Sequence, residues 1–149
     1  MKERVPVQPK YFLAKTDPET YSIEQFEREG KTVWDGVKNP QALRAIRDMK
    51  AGDRVFIYHS MSDAAIVGVA DIVNDGRPDP ENAKLAVADF RFRCRVEPPV
   101  TLREIKQSGL FDDWALVRQS RLSTMAAPDK FVLWIQSLRP QSSGKACRF

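Results

Sequence analysis

The sequence predicts an α+β domain in which short helices flank one curved sheet. Strand-length runs of β-branched and aromatic residues recur along the chain, capped helical segments interrupt them at irregular intervals, and no β-α-β rhythm develops that would call for a parallel sheet. The clearest strand spans Leu85 to Val96. There Ala88, Phe90, Phe92, Cys94 and Val96 fall on one face and Asp89, Arg91, Arg93 and Arg95 on the other, the period of a half-buried strand. With 149 residues, 42% hydrophobic and 9% aromatic, the chain can bury the core of a single domain.

The elements follow in order. Residues 1–10 and 139–149 are polar and without apolar period, so both ends are expected to be loosely ordered around a domain over 11–138. Tyr11 to Lys15 reads as a first strand, stopped at Thr16-Asp17-Pro18 because proline cannot donate to a ladder. Ser22 and Gln25 fit a capping box, Ile23 and Phe26 give the helix an inward face, and Gly30 ends it. Trp34 then falls in a glycine-containing loop. Asn39 is an N-cap and Pro40 a first helical residue, with Ala42, Leu43, Ile46 and Met49 forming the stripe of a helix that ends near Lys50-Ala51-Gly52.

Asp53 to His59 and Ala65 to Val73 form a hairpin across the turn Ser60-Met61-Ser62-Asp63, and Asp75 to Pro80 is a loop by every local signal. Pro98-Pro99 ends the long strand, and Thr101 with Glu104 opens a capped helical segment. Leu116 to Thr124 has no clean period. Pro128 to Leu138 closes the chain as a helix carrying Phe131, Val132, Trp134, Ile135 and Leu138.

Several function classes fall away. No run has the length of a membrane span and the start MKERVPVQPK has no apolar signal core, so a cytoplasmic protein is expected. Cys94 and Cys147 are not expected to form a structural disulfide, and clustered zinc ligands are missing. There is one histidine, His59, and no G-x-S-x-G elbow, phosphate loop or dinucleotide fingerprint. A non-catalytic role without a cofactor is therefore expected. The net charge of +4 and pI of about 9.2 favour a polyanionic partner. The excess is local: residues 101–149 hold 8 Lys and Arg against 4 Asp and Glu, and no long basic run suggests a disordered nucleic-acid tail.

The segment from Val33 to Ser60 holds the sharpest functional signal. A loop tryptophan that no apolar period claims is a ready stacking platform, and basic residues and a Tyr-His-Ser strand end accompany it. The bland reading is that Trp34 pins the first helix to the sheet. His59 equally reads as a hydrogen-bonded structural residue, Asn39 as a cap, and the Arg91, Arg93, Arg95 row as a solvated strand face rather than a backbone-binding stripe.

Six motifs in order carry a family likeness: Tyr11 to Ser22 (YFLAKTDPETYS), Trp34 to Asn39 (WDGVKN), Tyr58-His59-Ser60, Ile66 to Ala70 (IVGVA), Pro78-Asp79-Pro80 and Arg118 to Ser123 (RQSRLS). Together they closely resemble the EVE domain family, over about residues 11–138. The chain departs from the family pattern at Phe12, Asp17, Leu43-Arg44 and Met61, where Trp, Glu, Arg-Asn and Asn are usual.

The resemblance implies a PUA-like curved β pseudo-barrel of about five to six mostly antiparallel strands with flanking short helices, related to YTH domains that read methylated adenine in RNA. It further implies a non-catalytic reader that takes a flipped modified base, modified cytosine in DNA, into an aromatic pocket. An RNA-binding module and a small nucleotide-directed enzyme are the alternatives. On this reading Trp34 stacks on the base, and Lys15, Thr16, Asp35, Asn39 and Ser60 converge at one rim, with Asp35 accepting from an amine such as cytosine N4. Tyr58 and His59 close the pocket, Gln119 and Ser120 supply further edge contacts, and Lys38, Arg44, Arg118 and Arg121 touch phosphates. Arg44 has the rival role of an ion-pair partner for Asp48. No effector is fused within this chain, so the consequence of binding is expected to fall to an unidentified partner protein.

Overall fold

A computed structural model describes residues 8–61 and 63–139 of the chain. The remaining residues, which include most of both expected tails and Cys147, lie outside the described ones. Six strands form one open sheet: β1 (Tyr11–Thr16), β2 (Lys31–Trp34), β3 (Arg54–His59), β4 (Ala65–Asp79), β5 (Asn82–Thr101) and β6 (Thr124–Ala127), in the spatial order β2-β5-β4-β3-β1-β6. Among the described residues only the β1–β3 pair is parallel. Five short helices flank the sheet: α1 (Ile23–Glu29), α2 (Pro40–Asp48), α3 (Leu102–Ser108), α4 (Ala115–Arg118) and α5 (Asp129–Leu138). The class is α+β, as the sequence predicts.

The central strands are apolar on both faces because both faces are covered. Phe12, Ala14, Val55 and Ile57 belong to one core, shared with Phe26, Leu43, Ile46 and Phe90. Leu13, Phe56 and Tyr58 belong to the other, shared with Phe111, Phe131 and Ile135. Helix α2 packs against β6 near one edge and against β4 and β5 toward the other, so it bridges the opening of the sheet.

Local chemistry sets the helix starts. Ser22 Oγ accepts from the Gln25 N–H at 3.1 Å, but the Gln25 side chain turns to Glu29 at 3.2 Å, so the expected reciprocal box reduces to a single cap. The N–H of Ile23, an orphan donor of the first turn, donates to His59 Nε2 at 3.0 Å. Asn39 Oδ1 accepts from Gln41 and Ala42 N–H groups at 2.8 and 3.1 Å, and Thr101 with Glu104 forms a full capping box. At the other end of α2 the backbone of Gly76 lies against the helix: its N–H donates to Met49 O at 2.9 Å, and a Cβ there would sit 1.9 Å from Ile46 O. Asp53, 8% exposed, accepts from the N–H groups of Lys10 and Lys50 at 3.0 Å each and so fastens the start of β1 to the turn after α2.

Four expectations are corrected. Trp34 ends strand β2, paired antiparallel with β5 opposite Ala88, because Thr32-Val33-Trp34 finds an open sheet edge. The stretch from Asp75 to Asp79 continues β4 rather than looping, held through register shifts that absorb Gly76 and Pro78. Pro98-Pro99 does not end β5. Residues 96–99 bulge between the Gly68–Arg95 and Ile66–Val100 pairs, where prolines deprive the ladder of no donor. Cys94 is half-buried and disulfide-bonded, against the expectation of an unpaired thiol. The arginine row of β5 is engaged by acids: Arg91 and Arg93 lie 3.7 and 3.2 Å from Asp71, and Arg95 lies 2.8 Å from Glu27.

Two predictions follow from this packing. Gly76→Ala forces a methyl group into the Ile46 carbonyl and is expected to cost about 1–3 kcal/mol in urea unfolding. His59 is held below its ordinary value, first by burial and then by the charge of Arg95, with Glu24 opposing. A folded value below the unfolded one of about 6.5 means that its stabilising contribution is full above that pH and is lost as pH falls through the folded value. Urea midpoints measured between about pH 7.5 and 5 are expected to fall more steeply in the wild type than in His59→Gln, which keeps an acceptor and does not titrate.

Candidate functional site

The parallel pairing of β1 with β3 sets Lys15 opposite Tyr58 and Thr16 opposite His59. On the other side of β1, the Lys15 N–H donates to Ser123 O at 2.8 Å. The end of β1 is therefore gripped from both sides, and the end of β2 and the loop after it face it across a cleft of about 510 Å³. Lys15, Thr16, Asp17, Thr20 and Tyr21 line one side, Thr32, Val33, Trp34, Asp35, Gly36, Val37 and Lys38 the other, and Ser123 completes it.

Trp34 is both core and wall. Its ring stacks on Phe90 with centroids 5.0 Å apart and 26° between planes, and meets the edge of Tyr21 at 6.1 Å. Only 8% of the residue is exposed, so a strip of indole, not an open face, reaches the cleft. Gly36, with φ 77°, adopts the left-handed conformation that turns the chain from β2 toward Lys38 and α2.

The polar groups differ in freedom. Lys15 Nζ donates to Ser120 O at 3.0 Å and lies 5.5 Å from the centre of the Tyr58 ring, and burial lowers its pKa. Burial likewise raises Tyr58. Thr16 Oγ1 donates to Tyr21 O at 2.8 Å, which leaves its lone pairs as acceptors. Tyr21 donates to Glu29 at 2.7 Å, and burial followed by that hydrogen bond pushes it up to about 12. Asp35 and Lys38 are exposed and line the rim with opposite charges.

Of the residues proposed from the sequence, Lys15, Thr16, Trp34, Asp35 and Lys38 come together at this cleft. Ser60 stands behind the rim, its N–H and hydroxyl donating to Thr16 O at 3.0 and 3.3 Å. Tyr58 is 3% exposed beneath Lys15, His59 is spent on the start of α1, and Asn39 caps α2; these three do not line the cleft. Gln119 and Ser120 are exposed on the turn after α4, where Ser120 contributes its carbonyl to Lys15. Arg44, Arg118 and Arg121 are exposed, and Arg118 approaches Asp113 at 3.9 Å, a surface pair worth under about 1 kcal/mol. Arg44 and Asp48 form no ion pair among the described residues. Sequence reasoning missed Asp17, Thr20, Tyr21, Thr32, Val33, Gly36 and Val37 as cleft residues. Assigning β2 from its β-branched and aromatic run would have found Thr32 and Val33.

Comparison with known proteins places this architecture. The EVE domain model matches residues 10–138. Thymocyte nuclear protein 1 of Mus musculus is 38% identical over an alignment of 169 positions that spans 87% of this chain and 75% of its own. Among solved structures, a Pseudomonas syringae protein is 32% identical and superposes with a TM-score of 0.80, covering 87% of this chain and 99% of its own. The human THYN1 protein, solved in complex with 5-methylcytosine-containing DNA, shares the fold with a TM-score of 0.80 at 24% identity, covering 90% of this chain and 99% of its own. Matched over most of its length by the family model and by these relatives, the chain belongs to the EVE domain family.

Proposed function

We propose that this protein is a non-catalytic DNA-binding domain that receives a flipped modified cytosine in the cleft beside Trp34. The observation that carries the reading is the cleft itself: an indole strip and two valines beside an acceptor and a donor, in a volume of about 510 Å³. That size lies within the range of about 300–1,000 Å³ usual for small-ligand sites. The fold it shares with a human protein solved on 5-methylcytosine-containing DNA points the same way.

A cytosine edge offers an amine donor at N4 and acceptors at N3 and O2. On this reading Asp35 accepts from the amine and Lys15 donates to an acceptor, so the rim complements cytosine and opposes thymine, whose position 4 is an acceptor. A buried methyl group contributes only about 0.8 kcal/mol, or about fourfold in affinity. Recognition of the modification therefore rests on the apolar side of the slot, formed by Trp34, Val33 and Val37, and on exclusion of water. Lys38, Arg44, Arg118 and Arg121 take phosphates, which fix position without reading sequence.

Titrations with matched single strands test the pocket. The methylated strand is expected to bind at least about fourfold tighter than the unmodified one, and Asp35→Asn to narrow the preference for cytosine over thymine without loss of fold. Trp34→Ala is expected to weaken binding by about fivefold, the low end of the value of a base on an aromatic ring because only a strip of indole reaches the cleft, with circular dichroism checking that the core survives. Equal affinity for methylated, unmodified and thymine strands would falsify the reading. Arg118→Gln with Arg121→Gln is expected to weaken all strands alike and to flatten the plot of log K against log salt by about 0.7 per lost single-strand contact.

A further inference from the structure

A second feature stands at the same end of the sheet and is not used by the cleft. Met61, on the turn after β3, is 59% exposed, and its backbone lies at φ 88°, the left-handed region in which a Cβ is sterically penalised. Burial does not account for that placement, and a thioether has no strong polar contact to make. The flanks of the turn are tightly held. Ser60 donates twice to Thr16 O, Leu102 N–H donates to Ala64 O at 3.0 Å, and Ala65 pairs with Thr101. Met61 therefore follows directly on the residue that braces the rim of the base cleft.

Beside Met61 lies a groove of about 640 Å³ whose far wall is α3. Arg103 and Lys106 line it, three apart on that helix, exposed and in no ion pair among the described residues. One acid, Asp63, also borders it, so the lining keeps a net positive charge. An exposed apolar side chain thus lines the same groove as a pair of cations, one residue beyond the Ser60 that braces the rim of the base cleft.

We propose that Met61 is a wedge for duplex DNA. On this proposal, which rests on the base-flipping reading above, the Met61 side chain enters the space that the flipped cytosine vacates, while Arg103 and Lys106 hold the adjoining phosphates. Flipping leaves a gap whose neighbouring bases have lost their stacking partner, and an apolar side chain inserted between base steps restores part of that contact. Methionine suits the task because its unbranched, polarizable chain adapts to an irregular gap. The backbone bonds that hold Ser60 on one flank and Ala64 and Ala65 on the other limit its freedom before DNA arrives, which reduces the ordering cost of binding. A wedge matters only where there is a stack to fill, so Met61 is expected to govern duplex binding and to leave single-strand binding alone.

The test compares the full chain with Met61→Gly and Met61→Ala on a duplex carrying one 5-methylcytosine and on the same strand alone. Both variants are expected to lose about tenfold or more on the duplex, a fraction of the unstacking cost, and less than about twofold on the single strand, where no stack is broken. Melting of Met61→Gly is expected at or above the wild-type temperature, because glycine accepts the left-handed backbone, so lost affinity would not reflect lost fold. Arg103→Gln with Lys106→Gln is expected to reduce the salt slope on the duplex. If the wild type prefers the methylated single strand but the Met61 variants lose equally on both forms, or on neither, the wedge is wrong and the base-cleft reading stands. If the wild type shows no such preference on the single strand, both fall together.

Discussion

The parallel pairing of β1 with β3 is the constraint on which the cleft depends. Among the described residues it is the one parallel pair in an otherwise antiparallel sheet, and it sets Lys15 and Thr16 in register with Tyr58 and His59. Parallel neighbours need a long crossover, and here that crossover carries α1, β2 and α2. The elements that wall the cleft are therefore the same ones that the topology needs in order to bring β3 alongside β1. His59, at the end of β3, then receives the first N–H of α1, so the crossover is tied back to the strand it serves.

Trp34 is at once a core residue and a wall of the cleft. Its stacking on Phe90 and its contact with the Tyr21 edge hold it in the core, and the strip left uncovered faces the cleft. A ring fixed in this way loses little freedom when a ligand packs against it, which favours a rigid, shape-selective slot over an adaptable one. The cleft's charges are balanced, with Lys15 and Lys38 against Asp17 and Asp35. Its polar groups thus suit the edge of a base better than a phosphate.

Much of the fold was legible because its local signals agree with its tertiary contacts. Asn39-Pro40 starts α2 as the capping rules require, and the β3–β4 hairpin follows from its flanking apolar runs. Trp34 was harder to place. Four residues of β2 carry too little period to declare a strand, and pairing with β5 across more than fifty residues supplies what the local sequence lacks. Asp75 to Asp79 misled in the other direction: its Asp, Gly and Pro are turn formers, but the strand continues through them because α2 and β5 hold the backbone on either side. In the site, Lys15, Thr16, Trp34, Asp35 and Lys38 were legible, the first two from the strand end and the others from the motif that follows Val33. Tyr58 and His59 were misplaced because being next to Ser60 in sequence does not say which way a strand residue faces.

The most direct test of the central claim, that the cleft beside Trp34 receives the base, is an NMR titration of the ¹⁵N-labelled chain with a short single strand carrying one 5-methylcytosine. The account predicts saturable shifts of the Trp34 indole N–H and of the Lys15, Asp35 and Val37 amides. The Trp114 indole, which donates to Ala126 O at 2.9 Å inside the core, should stay in place. Shifts confined to the Arg91–Arg95 face or to the α5 surface, with the cleft silent at saturation, would contradict it.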